Sequence, residues 1–203
     1  MQFPRLTDAQ MLERLEPPRV RSAIVLDTDT YNEIDDQFAV VYSLLSAESV
    51  EVEAIYAAPF HNDRSSGPGD GMEKSYEEIL RVLERLGRRP EGLAYRGSRR
   101  WLASRDEPVE SEAAADLVSR AMAQRDGPLY VLAIGAITNV ASALLMEPRL
   151  VERIVLVWLA GQPHYWRSAS DFNLSGDLVA SQVVFDIGVQ LVHIACIHVT
   201  EQL

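Results

Sequence analysis

Residues 24–38 read IVLDTDTYNEIDDQF, an apolar run followed by five acidic residues. The apolar run is typical of a strand buried on both faces, and IDDQFAVVYSLLSA after it has helical spacing. A strand that leads into a helix is the first unit of a parallel α/β sheet. Carboxylates crowded at the end of such a strand repel one another, which is unfavourable unless something offsets their charge.

Strand-like and helix-like segments alternate along the rest of the chain. We predict five strands, in SAIVLDT, VEVEAIYAA, PLYVLAIG, RIVLVWLAG and VQLVHIACIHV. Four more helices are predicted in KSYEEILRVLERLG, SEAAADLVSRAMAQ, TNVASALLM and DLVASQVVFDIG. This alternation predicts an α/β fold with a mainly parallel sheet and helices on both faces, in which ligands bind beyond the carboxyl ends of the strands.

Length and composition favour one domain. The chain has 203 residues, 47% of them hydrophobic, and we predict an N-terminal helical arm at 1–20 and an α/β domain at 21–203. HNDRSSGPGDG (61–71) is predicted to be a long flexible loop. A net charge of −11 argues against nucleic acid and membrane partners. One cysteine, no signal-peptide pattern and no membrane-length apolar run favour a cytoplasmic location.

The acidic cluster has a simple interpretation and a functional one. Asp residues near a helix start can accept hydrogen bonds from its first N–H groups, which would account for one or two of the five. A hard-cation site would account for more of them, because a divalent ion removes the repulsion. Asp27 and Asp29 alternate on an extended segment and point the same way, whereas Asp35 and Asp36 diverge by about 100° on a helix.

One alternative enzyme class starts in a similar way. IVLDTDT resembles the nucleophile segment of haloacid-dehalogenase-type phosphatases, an Asp-x-Asp-x-Thr/Val pattern after the first strand. Here Tyr31 stands two residues after Asp29, and the adjacent pair Asp35–Asp36 has no place in that pattern. We keep the phosphatase as a weaker alternative.

Three stretches in register resemble the inosine/uridine-preferring nucleoside hydrolases. They are DTD with IDD after a short spacer, VLAIGAITNVASALLMEP, and SDFNLSGDLVASQVVFDIGVQLVHIACIHVT. The resemblance implies a Rossmann-like fold and calcium-dependent hydrolysis of the N-glycosidic bond of a ribonucleoside or related riboside, as in purine and pyrimidine salvage. The implied partner is a small-molecule nucleoside.

The resemblance also implies roles for individual residues around the ion. Asp29 would bind calcium, hold the attacking water and take its proton, as the catalytic base. Asp36 would bind calcium and touch a ribose hydroxyl, and the backbone carbonyl of Ile134 would be a further calcium ligand. Asp35 would bind the neighbouring hydroxyl, while Asp27 has no implied role and is predicted to be structural.

Further residues are implied to hold the sugar, each with an ordinary alternative. Asn62 and Asn173 match ribose-binding asparagines, although Asn62 could equally be a turn residue. Asp171 stands where the family usually has Glu and would reach the 5′-hydroxyl less well.

Local chemistry accounts for several other polar residues. We predict that Asn139 is an N-terminal helix residue suited to capping and that Asp177 is an N-cap. His193 and His198 are predicted to be core or strand-end residues. Tyr165 and Trp166 could stack on a nucleobase or be exposed without a role, and the sequence does not decide between the two.

Departures from the family pattern indicate a divergent member. The spacer TYNEI, which contains Glu33, is longer than usual and has no glycine, and QPHYWRSAS lacks an asparagine that the family has there. The family's later part, which supplies an Asp to the calcium site and a His that protonates the leaving base, is predicted to be missing. Two expectations follow: a homo-oligomer formed through exposed apolar surface, and, as a second hypothesis, a ribose-binding or scaffold protein with weak or no turnover.

Overall fold

One parallel sheet organises the computed structural model, which describes residues 2–197. Its strands within that range are β1 (Ser22–Thr28), β2 (Val50–Ala57), β3 (Ala94–Arg96), β4 (Leu129–Ala133), β5 (Ile154–Leu159) and β6 (Leu191–Ile194). They are hydrogen-bonded in the order β3-β2-β1-β4-β5-β6. The order reverses at β1, so a crevice opens between the carboxyl ends of β1 and β4, where Rossmann-like folds bind their ligands.

Helices connect the strands and cover both faces of the sheet. They are α1 (Asp8–Leu15), α2 (Ile34–Leu45), α3 (Pro68–Arg85), α4 (Glu112–Met122), α5 (Thr138–Met146), α6 (Phe172–Gly176) and α7 (Leu178–Asp186), with a 3₁₀ helix at Pro148–Glu152. No helix in the described range is long and apolar enough to cross a membrane. The predicted α/β class, with a parallel sheet between two helical layers, is confirmed.

Each face of the sheet has its own apolar core. On one face Leu26 and Ile55 pack with Val40 of α2 and with Ile79 of α3. The opposite face packs against α4, α5 and α7 and includes the fully buried Trp158. The Trp158 indole N–H donates to the carbonyl of Gly135 at 3.0 Å, so β5 is tied to the turn that follows β4.

The first residues pack on the domain. Thr7 and Gln10 form a capping box at the start of α1, and Leu6 before it is buried in the larger core. The Arg14 guanidinium donates to the carbonyl of Glu152 at 2.6 Å. The predicted helix in this arm is confirmed, and its contacts place it against the 3₁₀ helix.

Three local predictions need correction. The strand β3 was not predicted, because three residues are too few to show a period. The predicted loop 61–71 is shorter than expected, since α3 begins at Pro68, a residue favoured in the first turn of a helix. The last predicted strand covers only Leu191–Ile194, and the end of VQLVHIACIHV lies outside the described residues.

Candidate functional site

A cleft of about 490 Å³ lies at the carboxyl ends of β1, β4 and β5, at the point where the strand order reverses. Six of the seven predicted site residues line it: Asp29, Asp35, Asp36, Ile134, Asp171 and Asn173. Residues from four segments, which are the end of β1, the start of α2, the end of β4 and the start of α6, therefore meet where the chain order of the sheet predicts a ligand site.

Asp29 and Asp36 form the buried acidic pair of the cleft. Asp29 follows β1 directly and is 1% exposed, while Asp36 lies in the first turn of α2 and is 6% exposed. The Thr28 hydroxyl donates to Asp36 Oδ1. Asp29 Oδ2 is buried without a hydrogen-bond partner in the described part of the chain. Asp35, on the same turn as Asp36, is exposed at the rim.

The environment of the pair disfavours two negative charges. Burial raises the pKa of Asp29 well above its usual range, and the nearby Asp36 carboxylate raises it further. Burial also raises the pKa of Asp36 to about 7, an effect that the Thr28 hydroxyl partly offsets. A cation between the two carboxylates would offset both the burial and the repulsion.

The long spacer between the acidic residues closes into a packed turn. The Asn32 N–H donates to the Asp29 carbonyl at 2.6 Å, and the Asn32 side chain accepts from Asn62 Nδ2 at 2.8 Å. The Arg64 guanidinium donates to the Asn32 carbonyl and lies 4.8 Å from the centre of the Tyr31 ring. The loop after β2 therefore supports the spacer.

Asn62 is the predicted site residue that does not line the cleft. Its side-chain oxygen accepts from the Arg64 N–H at 2.9 Å, which is the geometry of an Asx turn, and its amide nitrogen donates to Asn32. In this structure Asn62 orders the turn behind the site, so the turn interpretation describes its contacts. Its predicted contact with ribose stays a prediction.

Asp171 and Asn173 shape the opposite wall. The Asn173 amide nitrogen donates to the carbonyls of Ile134 and Leu159 at 2.9 and 3.0 Å, bridging the ends of β4 and β5. Asp171 caps α6, accepting from the Asn173 N–H at 2.9 Å, and also accepts from the Gly161 N–H. Backbone groups therefore hold both side chains of this wall in place.

The oxygen atoms that line the cleft are of the types that bind a hard cation. Two carboxylates and one carbonyl, those of Asp29, Asp36 and Ile134, line one cleft, and Asp29 Oδ2 has no hydrogen-bond partner among the described residues. The Ile134 carbonyl already accepts from Asn173, but a carbonyl oxygen has a second lone pair. Within residues 2–197 there is no group of three or more His, Cys, Asp or Glu side chains placed to hold a metal. The described residues can therefore supply some, but not all, of the oxygen ligands that such a cation needs.

A second polar cluster lies below the cleft and corrects one prediction. Asn139 is the second residue of α5, an N-terminal helix residue as predicted, but its side chain does not cap the helix. Its buried amide nitrogen donates to Asp27 Oδ1 at 2.8 Å and to the Ala57 carbonyl at 3.2 Å. The Asp27 contact fits the predicted structural role, with the Asn139 amide as the donor. The sequence carries no local signal for this contact, because the partners are 112 residues apart.

The remaining polar predictions have mixed outcomes. Asp177 is an N-cap, accepting from the Ala180 N–H at 3.0 Å. His193 lies in β6 with Nε2 2.6 Å from the Ala160 carbonyl oxygen, a strand position as predicted. His198 lies outside the described residues. Tyr165 and Trp166 are 76% and 43% exposed and do not line the cleft.

Comparison with known proteins identifies the family. The sequence matches the family described as inosine-uridine preferring nucleoside hydrolase over residues 24–203. The chain belongs to this family. It is 30% identical over 193 residues to the pyrimidine-specific ribonucleoside hydrolase RihA of Salmonella dublin, covering 83% of this chain and 58% of that protein. The match favours the nucleoside hydrolase interpretation over the phosphatase alternative.

Solved structures of the family share the fold. An inosine-guanosine nucleoside hydrolase superposes with a TM-score of 0.64 at 20% identity, over 86% of this chain and 62% of that one. A purine-preferring ribonucleoside hydrolase from Gardnerella vaginalis also gives 0.64, at 19% identity, over 86% and 60% of the two chains. This nucleoside hydrolase chain therefore spans about 60% of the length of the relatives that it matches.

Proposed function

We propose that this chain hydrolyses the N-glycosidic bond of a ribonucleoside or related riboside with calcium as its metal, as in nucleobase salvage. One observation carries the proposal. The buried pair Asp29–Asp36 lines a cleft at the switch point, and one oxygen of Asp29 has no hydrogen-bond partner in the described chain. Family membership supplies the reaction class.

The acidic residues suit the charge changes of this reaction. Water attacks the anomeric carbon, the bond from that carbon to the base nitrogen breaks, and positive charge develops on the ribosyl ring. Asp29 takes the proton from the attacking water, and the surrounding carboxylates stabilise the ring cation. Calcium held by Asp29, Asp36 and the Ile134 carbonyl would supply a lowered pKa for the water.

Residues at the rim and on the opposite wall of the cleft would orient the sugar. Asp35 is exposed beside the buried pair and can accept from a ribose hydroxyl, and Asp171 and Asn173 face it across the cleft. Holding the sugar at both sides aligns the anomeric carbon with the water. The departing nitrogen must also gain a proton, and the lining residues in the described range include no histidine.

The test is ribose release from uridine, inosine and cytidine, measured by a reducing-sugar assay with calcium and with EDTA. We expect release that requires calcium and is abolished by Asp29→Ala. Asp116→Asn is the matched control, since Asp116 binds Tyr56 and Arg120 and does not line the cleft. Calcium-dependent thermal stabilisation without ribose release at high protein concentration would instead support the ribose-binding hypothesis.

Three wider predictions remain predictions: a cytoplasmic location, a lack of nucleic acid or membrane partners, and self-association. The outward face of α2 supports self-association. Ile34, Phe38, Tyr42 and Leu45 lie on it and are each at least 68% exposed. Sedimentation of the full chain with and without Phe38→Glu measures whether this face pairs.

A further inference from the structure

Asn139 joins three segments of the chain below the cleft. Its amide nitrogen donates to Asp27 Oδ1 and to the Ala57 carbonyl, and its amide oxygen accepts from the Ser98 N–H at 2.7 Å. The two backbone partners determine which way the amide faces, because a carbonyl only accepts and an N–H only donates. One side chain of α5 therefore connects the ends of β1 and β2 with the loop after β3.

The packing around Asn139 leaves no room for adjustment. Asn139 is 1% exposed and Asp27 is fully buried. A Cβ atom on Gly97 would lie 2.0 Å from the Ala57 carbonyl oxygen and 2.5 Å from the Asn139 amide nitrogen. The contacts of Asn139 with Asp27, Ala57 and Ser98 together form a clamp. The chain needs glycine at position 97 because any side chain there would push these contacts apart.

The clamp is coupled to the acidic cleft through the backbone. Asp27 lies two residues before Asp29, and its carbonyl accepts from the Ile134 N–H at 2.9 Å. The next carbonyl, that of Thr28, accepts from the Ala58 N–H at 2.8 Å. A shift of Asp27 would therefore move Asp29 relative to Ile134, and both of these line the cleft.

We propose that Asn139 is a positioning residue of this site, which sets the direction in which Asp29 enters the cleft by holding the ends of β1 and β2 together. Asn139 touches neither the cleft nor a reacting atom and acts only through Asp27 and the strand ends. This role rests on the proposed function, because Asp29 is the reacting group that it positions.

The first test needs no activity. Amide hydrogen exchange by NMR compares Asn139→Ala with Ser142→Ala, a control on the same helix whose buried hydroxyl accepts from the Val109 N–H at 3.1 Å. We expect Asn139→Ala to speed exchange at Ala58 and Ile134 at least tenfold relative to amides in the middle of β4, and Ser142→Ala to leave that ratio unchanged. Equal ratios in the two variants would overturn the proposal.

The second test uses catalysis. Misplacing a catalytic group by about 1 Å can lower the rate roughly 10²-fold, so Asn139→Ala is expected to lower kcat at least tenfold with KM within threefold, and Ser142→Ala to change neither. A parallel fall in kcat for both variants would mean that Asn139 is merely structural. If the wild-type chain releases no ribose, the proposed function fails, and the exchange comparison alone decides whether Asn139 orders the strand ends.

A same-shape pair of substitutions guards against misfolding of the alanine variant. Asn139→Asp turns an oxygen toward Asp27, and adding Asp27→Asn restores one donor and one acceptor between the two positions. We expect the double variant to exchange at Ala58 and Ile134 at least tenfold more slowly than Asn139→Asp, and to recover kcat in part. No recovery in the double variant would count against the clamp.

Discussion

Two polar clusters lie one above the other at the same edge of the sheet, and they are built differently. The lower one, around Asp27 and Asn139, is closed: Asp27 does not line the cleft, its Oδ1 accepts from the Asn139 amide, and glycine at 97 packs tightly against that amide, although Asp27 Oδ2 has no hydrogen-bond partner in the described chain. The upper one, around Asp29 and Asp36, is open to a cleft. Burial raises the pKa of Asp27 to about 7, and the Asn139 amide partly offsets this, whereas the neighbour of Asp29 is a second carboxylate that raises its pKa further.

This difference in hydrogen-bond partners indicates a different role for each cluster. The Asn139 amide donates to one oxygen of Asp27 and holds that carboxylate in place, as expected of a structural group. Two buried carboxylates facing each other raise the free energy of the folded protein, and such pairs persist at sites that bind cations or protons. The closed cluster supports the sheet edge, and the open cluster is where we place the chemistry.

The largest expected effect comes from removing a charge from the open cluster. Asp29→Asn should lower the rate of ribose release by about 10²–10⁴, because it removes the base and a metal ligand. The same change should raise the melting temperature of the metal-free protein by about 3 °C, since it relieves burial and repulsion. Kinetics with calcium test the expected loss of rate, and thermal unfolding in EDTA tests the expected rise in melting temperature. A lower melting temperature of the metal-free variant would contradict the view that the open cluster is destabilising.

A thiol at the edge of the open cluster gives a pH-dependent prediction. Burial, and then the nearby Asp171 carboxylate, raise the pKa of Cys196 to about 12, so the thiol stays protonated at neutral pH. We expect iodoacetamide to react with the folded protein about 10³-fold more slowly than with free cysteine at pH 8. The rate should rise about tenfold per pH unit up to pH 11 and should be normal in denaturant. Equal rates in folded and denatured protein would show that the environment of Cys196 is not as described.

A methyl group tests the closed cluster. Gly97→Ala should lower the free energy of unfolding by about 3 kcal/mol, because the new Cβ meets backbone and the Asn139 amide. Gly67→Ala is the matched control, since a Cβ there meets nothing within 4 Å, and it should change stability by less than about 0.5 kcal/mol. Urea unfolding measures both, and equal losses would mean that the clamp has room to adjust.

The smallest effect is expected at the acidic residue that the sequence left unexplained. Glu33 is exposed at the N-cap position of α2, caps no N–H group with its side chain, and lines the rim of the cleft. Glu33→Gln should leave kcat within about threefold and the melting temperature within about 1 °C of wild type. Calcium titration followed by thermal shift distinguishes this solvent-facing role from direct metal contact, which a tenfold loss of affinity would indicate.

Much of the fold was predictable because its signals are local. β1 shows a continuous apolar run, Ile24 to Leu26, and α3 shows apolar residues at helical spacing around Ile79, so both can be recognised from the sequence. β3 lacked that signal at three residues. The start of α3 packs closely on the loop after β2, since a Cβ on Gly71 would lie 2.0 Å from the Phe60 carbonyl oxygen. No local pattern reports such a contact.

The candidate site also has features that the sequence predicts and features that depend on tertiary packing. By itself the sequence placed Asp29 and Asp36 at the carboxyl end of the first strand, where parallel sheets bind ligands, and the family resemblance implied that Asn173 would join them. Only the tertiary structure decided that Asn62 orders a turn behind the cleft, that Asn173 bridges two strand ends, and that Asn139 clamps Asp27. The physical reason is that side-chain direction across long sequence separations depends on packing, which periodicity does not encode.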